Sequence, residues 1–313
     1  MNTARYHVEH ETRYDYSAPV AQSLQLARLV PRALPWQQTL SHALQVDPPP
    51  DARHDASDSF GNTVTHFALH GAHRWLRVRM QCTVEVGARP LAPSTVPWEG
   101  VRDALRDATP PLDLDAARMC EPTPLVSLSD AVRAYAAPHF SPGRDWLSAV
   151  SLLMHAIHAD FTFDPEATTV STAVDEVLLH RRGVCQDFAH LMLAGLRAHG
   201  LPARYVSGYL LTDPPPGEPR LMGVDATHAW VAAWLPQCGW VEFDPTNDQL
   251  ADERYITLAW GTDFADVVPL RGVILGGGEQ TMEVSVSVTG HPGEDGFKSP
   301  PAPACWPQPP AGV

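Results

Sequence analysis

The chain of 313 residues has a single lysine, Lys298, so arginine supplies the other 21 of its 22 basic side chains, and 36 acidic residues set the formal net charge at −14. No basic run is present of the kind that follows a phosphate backbone, so no nucleic acid partner is expected. No stretch approaches 18 consecutive apolar residues, and the opening MNTARYHVEHETRYDY is charged and aromatic where a secretion signal is basic and then apolar. These absences predict a cytoplasmic protein with no membrane partner. Five cysteines (Cys82, Cys120, Cys185, Cys238, Cys305) form an odd set without a CxxC pair, which disfavours both a disulfide framework and a thiolate zinc site. There are 15 histidines but no HExxH. Only His180 and His190 lie near the cysteine motif discussed below, on separate helices, so neither a metal nor any other cofactor is expected.

What is present is enough apolar material, 44% of residues, to fill more than one core, and the length suggests two domains. Residues 1–90 alternate with period two between turn signals. Thr63-Val64-Thr65-His66-Phe67-Ala68-Leu69 follows Phe60-Gly61-Asn62, and Trp75, Arg77 and Arg79 alternate against Leu76, Val78 and Met80. This predicts a β-sandwich-like domain. Residues 91–124 are rich in Pro, Asp and Ala and read as a linker or crossing segment. From 125 to 289 a helical period gives way, near Leu201, to strands, which predicts an α+β domain of helices packed on an antiparallel sheet. Its last strand is Met282–Val288. Seven prolines among residues 290–313 predict a disordered tail.

The sharpest local pattern is Arg181-Arg182-Gly183-Val184-Cys185-Gln186-Asp187-Phe188-Ala189-His190. One helix should open at Thr172, with Asp175 three residues on, and stop at Gly183 in the left-handed conformation. A second should start at Cys185 and end at Gly200. Phe188, Ala189, Met192, Leu193 and Leu196 follow Cys185 at helical spacing, which puts the thiol on the buried face in the first turn, where unpaired N–H groups favour the thiolate. Asp187 is either a cap or an ion-pair partner.

Downstream, Ala226 to Trp234 and Gly239 to Asp244 read as a hairpin. Setting Trp234 opposite Trp240 makes Asp244 face Trp230 and lie diagonal to His228, on one side of the sheet and within reach of a hydrogen bond. Cys185 as nucleophile, His228 as base and Asp244 as the orienting acid then form the constellation that covalent acyl transfer requires. The oxyanion donors would be the Cys185 amide and one from Phe161-Thr162-Phe163. Tyr209 and Trp230 either wall the acyl site or belong to the core.

The runs HRRGVCQDFAHLMLAGLRAHGLPARYVSGY and DATHAWVAAWLPQCGWVEFDPTN resemble the core of the bacterial transglutaminase-like superfamily, in the branch grouped with cysteine proteases. His10-Glu11-Thr12, Tyr14-Asp15-Tyr16, Leu29-Val30-Pro31-Arg32 and Asp58-Ser59-Phe60-Gly61-Asn62 resemble the β domain that accompanies that core. The likeness covers residues 5–290. It implies a papain-like transglutaminase fold and thioester chemistry on a protein or peptide substrate, with Cys185, His228 and Asp244 as catalytic residues. Water as acceptor would give a peptidase or deamidase and a primary amine a transglutaminase. A non-catalytic peptide-binding module is the rival of another class.

Overall fold

A computed structural model describes residues 3–89, 95–106, 114–211, 227–236 and 238–290. The Pro-rich tail and Lys298 lie outside the described residues, as do Ala226 and Gln237 of the hairpin motif. Among the described residues no helix is long and apolar enough to cross a membrane, and the four cysteines at 82, 120, 185 and 238 are free.

The chain opens with β1 (Thr3–Ala27), followed by β2 (Gln37–Asp47), β3 (Ala52–Ser57), β4 (Thr63–Leu69) and β5 (His73–Gly87). β1 serves two sets of neighbours. Its first half pairs with β5 along Thr3–Asp15, and its second half pairs with β4 along Ser23–Ala27. An irregularity between Asp15 and Val20 separates the two ladders. Alternation decides which face is buried: Leu76, Val78, Met80, Cys82, Val84 and Val86 of β5 are at most 1% exposed, while the arginines between them reach water.

The crossing segment is not featureless. It carries α1 (Trp98–Arg106) and α2 (Leu114–Arg118), with Trp98 and Val101 buried, because burying two large apolar groups offsets the weak local preference of this composition. Next come α3 (Asp130–Ala136), α4 (Trp146–Asp160), β6 (Thr162–Phe163), α5 (Val174–His180), β7 (Arg182–Gly183) and α6 (Cys185–Ala198). β6 and β7 form a short parallel bridge. α6 runs to Ala198, and Gly200 takes the left-handed conformation just past its end (φ 73°).

The second sheet contains β8 (Ala203–Leu210), β9 (Thr227–Leu235), β10 (Gly239–Asp244), β11 (Gln249–Leu250) and β12 (Tyr255–Gly261), in the order β11-β10-β9-β8-β12. It is covered on both faces. Ala229, Val231, Ala233 and Phe243 join the cluster that holds the α6 side chains, while Val206, Trp230, Ala232 and Tyr255 form another. After the short α7 (Phe264–Val267), the chain makes β13 (Leu270–Gly276) and β14 (Gln280–Gly290). Both return to β1, β13 along Val20–Ala27 and β14 along Tyr6–Tyr16. The segment read as the last strand of the second domain therefore completes the first sheet. Its period-two pattern specifies a strand but not the sheet that receives it.

Candidate active site

α6 starts where the chain leaves the β6–β7 bridge. Val184 is its N-cap, in extended backbone, and Cys185 is the first helical residue. A valine side chain cannot cap, and Asp187 takes the duty: its carboxylate accepts from the Val184 amide at 2.8 Å and from the Thr168 hydroxyl at 2.6 Å. Asp187 is thus a cap and not an ion-pair partner. Burial pushes its carboxyl up, against the pull of those two bonds. The contact requires glycine at 183, where a Cβ would lie 2.6 Å from Asp187 Oδ2. That is a different use of Gly183 from the one its place in the sequence suggests, since the left-handed residue ending α5 is Arg181 (φ 56°). α5 also begins one residue later than read, with Ala173 as its N-cap, because Asp175 accepts instead from the hydroxyls of Ser127 and Ser129.

The hairpin has the expected register, with Trp240 opposite Trp234 and Phe243 opposite Val231. Asp244 is completely buried, and His228 Nε2 lies 2.7 Å from Asp244 Oδ2. With Nε2 committed to the carboxylate, Nδ1 is the nitrogen left for the thiol, and Cys185 is near enough to favour the charged ring. Burial opposes a charge on the ring, but Asp244 and Cys185 outweigh it and push its pKa up to about 10. Asp244 is held below the usual carboxylate range: burial works against its charge, and His228 with two further donors more than offsets that. The structure thus brings all three residues singled out in the sequence to one place.

Sequence reasoning missed the groups that hold Asp244. The Thr246 amide donates to Oδ1 at 2.9 Å, the Asn247 side chain to Oδ2 at 2.6 Å, and the Tyr255 hydroxyl to Oδ2 at 2.7 Å. Gln249 Nε2 donates to the Tyr255 hydroxyl at 2.6 Å, and burial together with Asp244 drives the Tyr255 phenol far up. Asp-Pro-Thr-Asn is a legible turn in which an aspartate accepts from the amide two residues on, so Thr246 and Asn247 could have been found. Nothing local marks Tyr255, eleven residues away on another strand.

The remaining candidates separate. The Trp230 ring stacks beside His228, centroids 6.0 Å apart, and its indole N–H donates to Glu242 at 2.8 Å. Tyr209 belongs to the core. It is fully buried, and its hydroxyl meets His10 Nδ1 at 2.8 Å, far from the role of an acyl-site wall. Of the proposed oxyanion segment, the Phe161 and Thr162 amides are spent on Ile157 and Arg181, which leaves Phe163 on the side away from β7. His190 is buried in the core, accepts from the Phe264 amide at 3.2 Å, and has its pKa lowered by burial to about 3. Among the described residues no three His, Cys, Asp or Glu side chains are grouped to hold a metal.

Known proteins share this organisation. Residues 6–85 match the bacterial transglutaminase-like N-terminal region and residues 133–245 the transglutaminase-like superfamily. An uncharacterized protein of Mycobacterium tuberculosis is 44% identical over 302 residues, 93% of this chain and 95% of that one. A protein-glutamine gamma-glutamyltransferase of Pseudomonas aeruginosa is 39% identical over 107 residues, 33% of this chain but only 16% of that protein. Among solved structures, a candidate cysteine protease from Cytophaga hutchinsonii superposes with a TM-score of 0.73 at 20% identity, over 94% of this chain and 93% of that one. Matched in both of its halves and along nearly its whole length, the chain belongs to the bacterial transglutaminase-like superfamily.

Proposed function

We propose that the protein is a cysteine-dependent acyl-transfer enzyme in which Cys185 attacks a glutamine carboxamide or peptide carbonyl. The observation that carries this reading is the buried 2.7 Å bond between His228 and Asp244, set beside a cysteine on the first residue of a helix. The Cys185 sulfur forms a bond to the carbonyl carbon, and the oxygen takes up the electron pair, facing the amides at the helix start. As the tetrahedral adduct collapses, the imidazolium gives its proton to the departing ammonia or amine. The carbon–nitrogen bond breaks and a thioester remains. Water then attacks the thioester, His228 takes its proton, and the sulfur leaves with the acid released.

Water as acceptor makes the enzyme a deamidase or peptidase acting on a protein or peptide. One observation favours a second reading, amine transfer: the likeness of about a third of the chain to a protein-glutamine gamma-glutamyltransferase. Against it stands a sequence with no acidic cluster beside the motif to gather cationic amines, and with one lysine the chain should crosslink itself little under either reading. The four cysteines among the described residues are free, which suits a reducing compartment, and we place the protein in the cytoplasm. The test incubates a glutamine-containing protein with the enzyme, with and without a fluorescent primary amine. Ammonia release or chain cleavage that needs Cys185 and outpaces labelling is expected, and labelling that outpaces both overturns the choice of water. A thiol no more reactive than Cys238 toward iodoacetamide would leave only a peptide-binding module.

A further inference from the structure

β12 is the outer strand of the second sheet, and its open side is met by the first domain and by Arg89 just beyond it. Arg89 donates to the Tyr255 carbonyl at 2.9 Å. Gln37 Oε1 accepts from the Thr257 amide at 2.8 Å, while its Nε2 donates to the Thr257 carbonyl, also at 2.8 Å. Asn62 treats Trp260 in the same way, accepting from its amide at 3.0 Å and donating to its carbonyl at 2.8 Å. Two side-chain amides thus reproduce the paired bonds that a neighbouring strand would make, and they close an edge that would otherwise be open.

The spacing of these contacts is informative. Outward-facing backbone in a regular strand recurs every second residue, so 255 and 257 should be followed by 259. Here the third gripped residue is Trp260, because the register to β8 shifts by one between Thr257 and Ala259. On one side of this bulge Tyr255 pairs with Leu210 and Thr257 with Gly208, and on the other Trp260 pairs with Val206. The bulge therefore keeps Tyr255 on the sheet face that carries His228, Trp230 and Asp244. A slip of one residue would turn it to the opposite face, away from the carboxylate. The two amides hold the strand on either side of the bulge. Both are fixed, with Gln37 2% and Asn62 1% exposed. Arg32 lies 3.5 Å over the Trp260 ring, and its guanidinium reaches Asn62 Oδ1.

We propose that the first domain is part of the acid–base apparatus, with Gln37 and Asn62 as positioning residues that lock the bulged β12 in the register that stands Tyr255 against Asp244. This rests on the reading of Asp244 as the carboxylate that orients His228. Influence passes from Gln37 to the Thr257 backbone, two residues along to Tyr255, and over two 2.7 Å bonds to Asp244 and His228.

The test uses the full chain and two readouts, the low-field proton resonance of His228 Nε2–H and the pH dependence of iodoacetamide alkylation at Cys185. Gln37→Met preserves length and removes both bonds to Thr257, together with the one to the Arg32 carbonyl. The resonance should broaden or vanish, alkylation near neutral pH should slow severalfold, and Tyr255→Phe should reproduce both changes. A purely structural role would lower the melting temperature and leave both readouts alone. Gln37→Met that folds and keeps the wild-type resonance and pH profile overturns the proposal, as does Tyr255→Phe without effect. Should Gln37→Met fail to fold, Gln37→Glu, which keeps the length but loses the Nε2 donor to the Thr257 and Arg32 carbonyls, is read by the same criteria. An Asp244→Ala chain that retains the resonance would instead overturn the His228–Asp244 reading itself, a separate failure.

Discussion

The two sheets of this protein solve different problems. The first buries one set of alternating side chains and gives much of the rest to water, with Val273 74% and Leu275 65% exposed on β13. The second is enclosed: seven of the eight residues of β8 and seven of the nine of β9 are buried. A polar side chain in the first sheet can turn to solvent. In the second it must find a protein partner, because burying it unpaired costs about 1–3 kcal/mol, and more for a charge. Asp244 accordingly accepts from five donors, and Glu242, 3% exposed, meets the Trp230 indole and Arg89. The same enclosure works against a charge on His228, and Asp244 with Cys185 outweighs it and raises the ring to a pKa of about 10. The proposed catalytic residues thus sit in the sheet where polarity is hardest to sustain, and the other sheet supplies part of the enclosure.

The largest expected effect removes the reacting atom. Cys185→Ala should abolish turnover and fast alkylation while leaving the melting curve unchanged, since a partly exposed thiol holds little of the core. Turnover above a few per cent on any substrate found would sink the nucleophile assignment. Next comes Asp244→Asn, which keeps the shape but puts an amide among donors. Turnover should fall by about 10²–10⁴, as in the Ser-His-Asp enzymes, and unchanged kinetics would remove Asp244 from the site.

Backbone closeness sharpens the contrast between the sheets. A Cβ on Gly208, in the enclosed sheet, would lie 2.0 Å from the Ile256 carbonyl oxygen and 2.6 Å from the Trp230 ring, whereas one on Gly71, beside the first sheet, meets nothing within 4 Å. Gly208→Ala should destabilise by about 3 kcal/mol or more, and Gly71→Ala by less than about 0.5 kcal/mol, measured by urea unfolding. Equal effects would break the comparison.

Two groups of histidines predict a stability curve that falls on both sides. Burial lowers His10, at the junction with Tyr209, to about 4, and lowers His190 to about 3, both from 6.5. The unfolded chain binds protons there that the folded chain refuses, so stability should fall as pH drops below about 6.5 toward those values. His228 has the opposite sign. Its raised pKa contributes stability that is complete below about 6.5 and is lost as pH rises through about 10. Unfolding free energy that stays flat between pH 7 and 4.5 would contradict the first limb, and His228→Gln should flatten the second. The smallest effect belongs to the open face of the first sheet: Val273→Thr should change stability by less than about 0.5 kcal/mol.

The sequence signals that held share one property, which is that they are local. A thiol at a helix start, a hairpin register set by a short turn, and period-two alternation in β5 are each specified within about twenty residues. The signals that failed depended on distant partners. Gly183 looked like a helix terminator because glycine often is one, yet what demands it is the Asp187 carboxylate 2.6 Å from where a Cβ would lie. Met282–Val288 was legible as a strand but not as the neighbour of β1, some 270 residues earlier. Tyr209 could have faced the site or the core, and only His10 in the other domain decided it.

By itself the sequence determined the alternating first sheet, the helix that carries Cys185, the hairpin that sets Asp244 diagonal to His228, and the superfamily those runs resemble. Only the tertiary structure decided that Tyr255 and Asn247 complete the carboxylate's shell, that the last two strands close the first sheet, and that the motifs around Arg32 and Asn62 grip β12. The reason is physical. Hydrophobic period and turn chemistry are written in consecutive residues, whereas a buried polar group is satisfied by whichever donor the packed chain brings within about 3 Å, and that donor leaves no mark on the residues beside it in sequence.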